Sequence, residues 1–391
     1  MSRAAIVGAG ASGFSRTATS TAAAMASVAL SEALGDCGLR RDQIDGLIVH
    51  IGSPRGMDYD LTASALGLNV RFAAQPWSHG RFGGTVLQHA AMAVCCGLAN
   101  NVLCLAAYNN TSFGLHGTKQ RPGFAESLRE GGGPHAETPH AGLTAPMAGA
   151  AMAFQRYLHI HGGSADRLGA VAVGLRRHAA LNPAAALRKP IGQEEYLASP
   201  FIVEPLRRHD CSILVDGAVA LIVTSMDRAA DHARPVSILG YQGIHAGAEE
   251  FIFGQPGLGI NQASVFDFHP QAGAAPVYRM AGKTPGDVDG LYVYDAFSPL
   301  IPWTLERFGH CDPGEALDWI QGGKIELGGA LPVNSNGGML SEGHLNGWGH
   351  FIEIIRQLRG LCGERQVRDA AVLQWATCLG DSIIFARAGI A

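Results

Sequence analysis

The sequence predicts an α/β protein built from two duplicated halves. The segment Gln43-Ile44-Asp45-Gly46-Leu47-Ile48-Val49-His50 returns as Asp287-Val288-Asp289-Gly290-Leu291-Tyr292-Val293-Tyr294. Each copy follows a helix-like stretch and a Gly-containing turn, and each ends in a β-branched run suited to a buried strand. Downstream of each copy comes a helix and then a strand. Gly83 to Gly97 leads into Asn101–Leu105, and Leu345 to Leu358 leads, after a loop, into Ala370–Trp375. Short matches occur in any α/β protein, but two in the same order at corresponding places favour duplication. The length of 391 residues suits two halves of roughly 150 to 200 residues each.

Along the chain, the first strand (Ala4-Ala5-Ile6-Val7) runs into Gly8-Ala9-Gly10-Ala11-Ser12-Gly13. This fits GxGxxG, the phosphate-cradling turn of dinucleotide folds, but the fingerprint needs a helix opening at the third glycine and an acidic residue closing the second strand. Here Phe14-Ser15-Arg16-Thr17 intervenes and Asp45 opens its strand, so nicotinamide binding is not expected. Residues 110 to 145 are rich in Gly, Pro, Asn, Thr and His, with Gly131-Gly132-Gly133-Pro134 at the centre. A segment of that kind inside a compact protein is usually functional, and it is expected to belong to a loop region, about 110–200, covering a site. Asp216–Val223 reads as the last strand of the first half, and the linker falls near Asp227 to Pro235. The expected domains are therefore 1–227 and 236–391.

Composition excludes several classes of function. Hydrophobic residues make up 47% against 16% charged, enough for a large core, and the 52 glycines suggest tight helix–sheet packing. With a net charge of −4 and no basic stripe, no nucleic-acid or polybasic membrane partner is expected. No stretch reaches the roughly 18 apolar residues of a membrane span, and the N-terminus has too short an apolar run for a signal peptide. The eight cysteines (37, 95, 96, 104, 211, 311, 362, 378) form no CxxC pair and read as reduced, cytoplasmic cysteine. The pairs His135/His140 and His159/His161 lack a ligand partner set, so no metal is expected.

Four segments carry a family resemblance. Gly328-Gly329-Ala330-Leu331-Pro332-Val333-Asn334-Ser335-Asn336-Gly337-Gly338, continuing through Ser341-Glu342-Gly343-His344, resembles the C-terminal signature of thiolases, above all the sterol-carrier-protein type. Tyr294-Asp295-Ala296-Phe297-Ser298 resembles the family's (N/H)(E/D)AF loop, and Cys378-Leu379-Gly380 sits where its second catalytic cysteine would lie in a C-x-G turn. Arg177-His178-Ala179-Ala180, Asn182-Pro183 and Asp216-Gly217-Ala218 match its middle region. The resemblance spans essentially the whole chain and implies a five-layered α-β-α-β-α thiolase fold.

The departure lies in the first half. A thiolase carries its nucleophile in a C-A-x-G turn before the core helix; counted back from Gly83, that position falls on Gly80 in Ser78-His79-Gly80-Arg81-Phe82-Gly83. Cys95 and Cys96 lie about fifteen residues along the same helix, roughly 22 Å from its start, and cannot substitute. Gly80 and His344 each precede a core helix, so two helix N-termini are expected to converge and favour an enolate. By resemblance, His344 would donate to the enolate oxygen and Cys378 would move a proton at the α-carbon. Tyr294, in place of the usual Asn or His, could act as acid or base at a β-oxygen. Each has a plainer reading: Tyr294 as an aromatic ending a buried strand, Cys378 as a small core residue. His79 reads as pocket wall or loop stabiliser, and Ser78 or His79 could be nucleophilic only in a different register. Asn336 and Gly380 are assigned to the pocket and its oxyanion donors, whereas Asp295 is expected to order its loop through backbone hydrogen bonds. Trp77, Trp348 and Phe351 read equally as a hydrophobic tunnel or as core.

A thiolase-like chain without its cysteine resembles the thiolase-type aldolases that shorten steroid side chains. Glu204-Pro205-Leu206-Arg207 to Asp210-Cys211, the Tyr294-Asp295-x-Phe297 loop and the Gly-rich turn all fit that subfamily. The resemblance implies retro-aldol cleavage of a β-hydroxyacyl-CoA into a ketone or aldehyde and a shorter acyl-CoA. It implies no cofactor beyond the CoA of the substrate, and a homodimer working with a separate DUF35-type OB-fold partner. Two positions depart from that subfamily, where a tyrosine stands at the place of His344 and a glycine at that of Cys378. The alternatives are a true acyltransferase, or a catalytically silent subunit of a heteromeric complex.

Overall fold

A computed structural model describes residues 4–17, 19–50, 56–76, 83–111, 146–244 and 275–390. The described strands are β1 (Ala4–Ser15), β2 (Gly46–Val49), β3 (Phe72–Ala74), β4 (Asn101–Tyr108), β5 (Phe201–Val203), β6 (Leu206–Arg207), β7 (Asp216–Ser225), β8 (Val236–Gln242), β9 (Gly290–Val293), β10 (Val372–Ala376) and β11 (Ser382–Arg387). Strands β5 and β6 form a small hairpin, and the other nine join in the order β3-β2-β4-β7-β1-β8-β11-β10-β9.

That order is one motif written twice. In the first half β2 runs parallel to β4, β4 antiparallel to β7, and β7 antiparallel to β1. In the second half β9 runs parallel to β10, β10 antiparallel to β11, and β11 antiparallel to β8. The halves meet where β1 and β8 pair antiparallel, Ala4 opposite Ile238 and Ile6 opposite Val236. Equivalent strands pairing antiparallel is what a local twofold axis produces.

The repeat that revealed the duplication has a physical reason at each of its matched positions. Asp45 Oδ1 accepts from the backbone N–H groups of Asn100 and Asn101, both at 2.8 Å, and so starts β4. Asp289 Oδ2 does the same for Ala371 and Val372 at 2.8 and 2.9 Å and starts β10. The glycine after each aspartate faces the neighbouring parallel strand too closely for a side chain. A Cβ on Gly46 would lie 2.8 Å from Val102, and one on Gly290 would lie 3.0 Å from Leu373.

Burial sorts the strands into layers. Along β4, Val102, Cys104, Ala106 and Tyr108 join one core cluster, while Leu103, Leu105 and Ala107 join another. The second cluster is closed by the outer helix Ala22–Cys37, capped by Thr21 at its start and by Gly38 at φ 73° at its end. The first cluster holds the central helices Gly83–Cys95 and Trp348–Leu358, which touch strands of both half-sheets. Of the second helix only Arg356 escapes full burial, the pattern of a helix walled in on all sides. The short helix Pro276–Ala281 covers β8 and β11 on the remaining outer face. The result is the expected α-β-α-β-α stack.

Three expectations resolve here. Gly8 and Gly10 lie within a continuous β1, and no helix opens after Gly13. The glycines serve packing: a Cβ on Gly8 would meet the Ala33 carbonyl at 2.5 Å, and one on Gly10 would collide with the backbone of Ala29 and Ala33. Trp348 and Phe351 are core residues, 0% and 1% exposed, so they line no tunnel. Of the region 110–200, residues 112–145 lie outside the described residues, and the rest is mainly helical: Pro146–His161, Gly169–Ala180 and Gln193–Ala198. This insert grips the second half through Arg177 to Glu326, His178 to the Asn334 carbonyl, and Asn182 to the Asn336 carbonyl.

The motif Gly8–Gly13 is therefore expected to behave as a packing surface. Gly10→Ala should lower stability by about 1–3 kcal/mol through overpacking. Gly13→Ala, with open space but φ 78°, should cost about 1 kcal/mol through backbone strain alone. Urea unfolding midpoints rank the two, and equal effects would contradict the assignment.

Candidate active site

Tyr294 closes β9, where its N–H still donates to the Ala376 carbonyl of β10 at 3.3 Å. Its side chain is 7% exposed, and its hydroxyl stands 3.5 Å from His344 Nε2, the rings meeting edge to face at 5.9 Å. His344 is positioned from three sides. Its N–H donates to the Ile213 carbonyl at 2.5 Å, Ser212 Oγ lies 2.7 Å from Nδ1, and Asn346 Oδ1 lies 3.0 Å from Nε2.

The segment carrying Ser212 is a brace between two loops. Ser212 N–H donates to the Ala296 carbonyl, Ser298 N–H to the Asp210 carbonyl, and Leu214 bridges His344 in parallel. Asp210 is itself fixed, accepting from Tyr196 Oη and the Arg207 N–H. Burial raises its carboxyl to about 6 against the pull of these donors. Gly343, at φ 141°, lets the chain pass Val215, where a Cβ would come within 2.6 Å.

Behind Tyr294 lies a sealed polar network. Asp295, fully buried, accepts from the N–H groups of Met339 (2.9 Å) and Leu340 (3.3 Å) and lies 3.0 Å from His350 Nε2. It thus holds the start of the short helix Gly338–Ser341, so the loop its backbone hydrogen bonds order is the signature loop and not its own. Asn336 is fully buried in the same network: its Nδ2 donates to Glu342 Oε2 at 2.5 Å, and its Oδ1 accepts from Gly338 N–H. Its amide is spent on Glu342, so the expected donor to an oxyanion is a structural link instead.

Cys378, 5% exposed, sits on the turn after β10, with its carbonyl accepting from Arg307 Nη1 at 2.6 Å. Gly380, at φ 100°, closes that turn, and its N–H donates to the Thr377 carbonyl at 3.0 Å. Hence the Gly380 N–H is committed within the turn and not offered to an oxyanion. His79 and Gly80, with Trp77 and Ser78, lie outside the described residues. Cys95 and Cys96 sit at and just beyond the end of the helix that Gly83 starts.

The two central helices do begin side by side. A Cβ on Gly83 would lie 3.4 Å from the Asn346 carbonyl and 3.5 Å from Trp348 Nε1, and one on Gly347 would lie 3.6 Å from Tyr294 Cδ2. The second helix thus begins against Tyr294 with the start of the first beside it, and the dipole of a helix start favours an anion nearby. Trp348 in turn donates to His50 Nδ1 at 2.7 Å, and the Tyr108 hydroxyl reaches the same nitrogen at 2.7 Å. His50 ends β2 as Tyr294 ends β9, and full burial lowers its pKa to about 3, so it stays neutral. Among the described residues no group of three or more His, Cys, Asp or Glu could hold a metal ion.

Sequence reasoning missed Ser212, Asn346, Glu342 and the His50–Tyr108–Trp348 group as parts of the site. Only Asn346-Gly347 carried a local signal, an Asn-Gly pair that favours left-handed backbone; the others act across more than a hundred residues or sat unremarked inside the signature.

The chain and its architecture find close parallels. Residues 262–387 match a family described as thiolase C-terminal domain-like. The chain is 36% identical to a 17-hydroxy-3-oxo-4-pregnene-20-carboxyl-CoA lyase of Mycobacterium tuberculosis over 92% of each. It is 33% identical to a steroid side-chain-cleaving aldolase of Thermomonospora curvata, over 91% of this chain and 90% of that one. Among solved structures, the Ltp2-ChsH2(DUF35) aldolase superposes with a TM-score of 0.85 at 30% identity, over 100% of this chain and 99% of its own.

Glu342 makes the stability of this region depend on pH. It accepts from Asn182 Nδ2 at 2.9 Å and from Asn336, and burial, reinforced by Glu353, raises its carboxyl to about 7. A carboxyl with a raised folded pKa stabilises fully below its unfolded value of about 4.3, and that contribution is lost as pH rises toward 7. Glu342→Gln should therefore show a smaller fall in urea midpoint between pH 5 and pH 8 than the native chain. It should be less stable at pH 5, where its amide faces those of Asn182 and Asn336. Equal falls in both proteins would show that Glu342 does not titrate in this range.

Proposed function

The chain belongs to the thiolase superfamily, in the group of the steroid side-chain-cleaving aldolases, and we propose that it cleaves a β-hydroxyacyl-CoA by retro-aldol chemistry. The observation that carries this reading is the Tyr294 hydroxyl facing His344 beside two helix N-termini, in a chain with Gly80 where an acyl-accepting cysteine would stand. Without that cysteine no covalent acyl-enzyme forms, and none is needed.

In this reading Tyr294 takes the proton of the substrate's β-hydroxyl. The bond between the α- and β-carbons breaks, the β-oxygen becomes a ketone or aldehyde carbonyl, and the electron pair moves into the thioester as an enolate. In this reading a hydrogen bond from His344, whose Nε2 faces the hydroxyl at 3.5 Å, stabilises the phenolate as it acts as the base. The same histidine and the helix starts stabilise the enolate oxygen, where charge develops in the transition state. In this reading Cys378, on the turn after the neighbouring strand β10, gives the proton to the α-carbon, which yields the shorter acyl-CoA.

The names of the relatives support a bulky steroid-like side chain as the acyl group. The name of the Ltp2-ChsH2(DUF35) aldolase supports a DUF35 partner for this chain; in this reading the partner is an OB-fold protein and the chain a homodimer. The eight cysteines form no disulfide, in keeping with a reducing, cytoplasmic setting, and no described helix is long and apolar enough to cross a membrane.

The test is incubation of the chain, with and without a co-expressed DUF35 partner, with a β-hydroxyacyl-CoA bearing a tertiary alcohol. Release of a ketone and a shorter acyl-CoA is expected. Tyr294→Phe and His344→Ala should each lower kcat by about 10²- to 10⁴-fold with the circular dichroism spectrum unchanged. No cleavage with the partner present, together with CoA-dependent cleavage of a β-ketoacyl-CoA, would establish an acyltransferase instead.

A further inference from the structure

Asn346 is an unfavourable residue for the fold that holds it. Its backbone is left-handed, with φ 53°, a conformation asparagine tolerates better than other residues except glycine but still not freely. It is 2% exposed, and its Nδ2 is buried with no hydrogen-bond partner among the described residues. A buried amide N–H without an acceptor loses its hydration and regains nothing. Against these two penalties stands one side-chain contact, Oδ1 to His344 Nε2 at 3.0 Å. Residues retained at such positions point to function rather than stability.

The contact determines the protonation of the imidazole. A side-chain amide oxygen can only accept, so the nitrogen facing it carries the proton; a hydroxyl can turn to donate, so Ser212 at 2.7 Å serves Nδ1 as a donor. The two together select the tautomer whose N–H lies on the side of Tyr294. Tyr294, 3.5 Å from Nε2, is the titratable group facing the ring.

We propose that Asn346 is a positioning residue that holds the proton of His344 on Nε2, between Asn346 Oδ1 and the Tyr294 hydroxyl, so that His344 meets the reacting oxygen as a hydrogen-bond donor. Its catalytic consequence rests on the retro-aldol reading, whereas the tautomer it imposes does not.

Three measurements separate this role from a structural one. Asn346→Gly keeps the left-handed backbone and removes the orphaned amide, so its unfolding midpoint should equal or exceed that of the native chain. Its kcat should nevertheless fall by about 10- to 100-fold through lost orientation, with KM little changed. In substrate-free protein, ¹⁵N-histidine NMR should show His344 protonated on Nε2, and a mixture of tautomers in Asn346→Gly. Asn346→Asp should move the His344 titration to higher pH, because a carboxylate against Nε2 favours the imidazolium. An unchanged tautomer in Asn346→Gly, or a shifted tautomer with unchanged kcat, overturns the proposal. A native chain that cleaves nothing but shows the expected tautomer change would count against the aldolase reading and leave the positioning intact.

Discussion

The close approach of two helix starts, Gly83 and Trp348, is the constraint on which the rest of the structure depends. A side chain at Gly83 would press on the Phe351 ring at 3.0 Å, and one at Gly84 would collide with Trp375. Because both positions are glycine, the two central helices fit in one layer between the half-sheets, with the aromatic side chains of one filling the space left by the other. Their N-termini then open onto the same ground. A single helix start favours an anion by about 0.3–1 kcal/mol at a surface and up to about 2 kcal/mol when partly buried. Two starts side by side favour negative charge near them before any side chain is counted.

Duplication supplies equivalent positions, and burial decides what each becomes. His50 and Tyr294 follow matched strands and make matched backbone bonds, His50 N–H to the Leu105 carbonyl and Tyr294 N–H to that of Ala376. His50 is sealed between Tyr108 and Trp348, kept neutral, and used to anchor the first residue of a central helix. Tyr294 faces a histidine that is itself only partly buried. The first half has turned its copy of the position into a strut, while the second keeps its copy at the reacting face. On the proposed reading, acid–base chemistry thus sits on one side of a local twofold that the backbone still obeys.

Much of this was legible in the sequence because it is written twice or carried by local periodicity. The repeat around Asp45-Gly46 and Asp289-Gly290 reports a carboxylate that starts the neighbouring parallel strand, 55 to 83 residues further on, and a glycine that makes room for it. The strand Asp216–Val223 and the two central helices were readable from their own apolar pattern. Asn336 and Gly380 were misjudged because motif membership does not say which way an N–H points. The first spends its amide on Glu342 and the second closes its own turn. Ser212 and Asn346 could not be found as a pair, since 134 residues of chain separate them (346 less 212) and only His344 brings them together.

The placement of charge follows one rule across the site. Groups that could ionise are held behind the wall, where burial pushes them toward neutrality: Glu342 is raised to about 7 and His50 lowered to about 3. Among the described residues, what the proposed reading puts at the reacting ground is instead donor-rich: a phenol, an imidazole, a thiol and two helix starts. A fixed carboxylate there would repel the enolate, and a nucleophilic thiolate would add to the thioester and divert the reaction to acyl transfer. Replacing the cysteine by glycine while keeping the anion-stabilising floor is therefore a coherent change of chemistry. It removes the step that consumes the enolate's partner carbonyl and preserves the step that forms the enolate. Tyrosine suits the remaining task, because a phenol can give up a proton to form an anion that the floor already favours and then take it back without leaving a permanent charge.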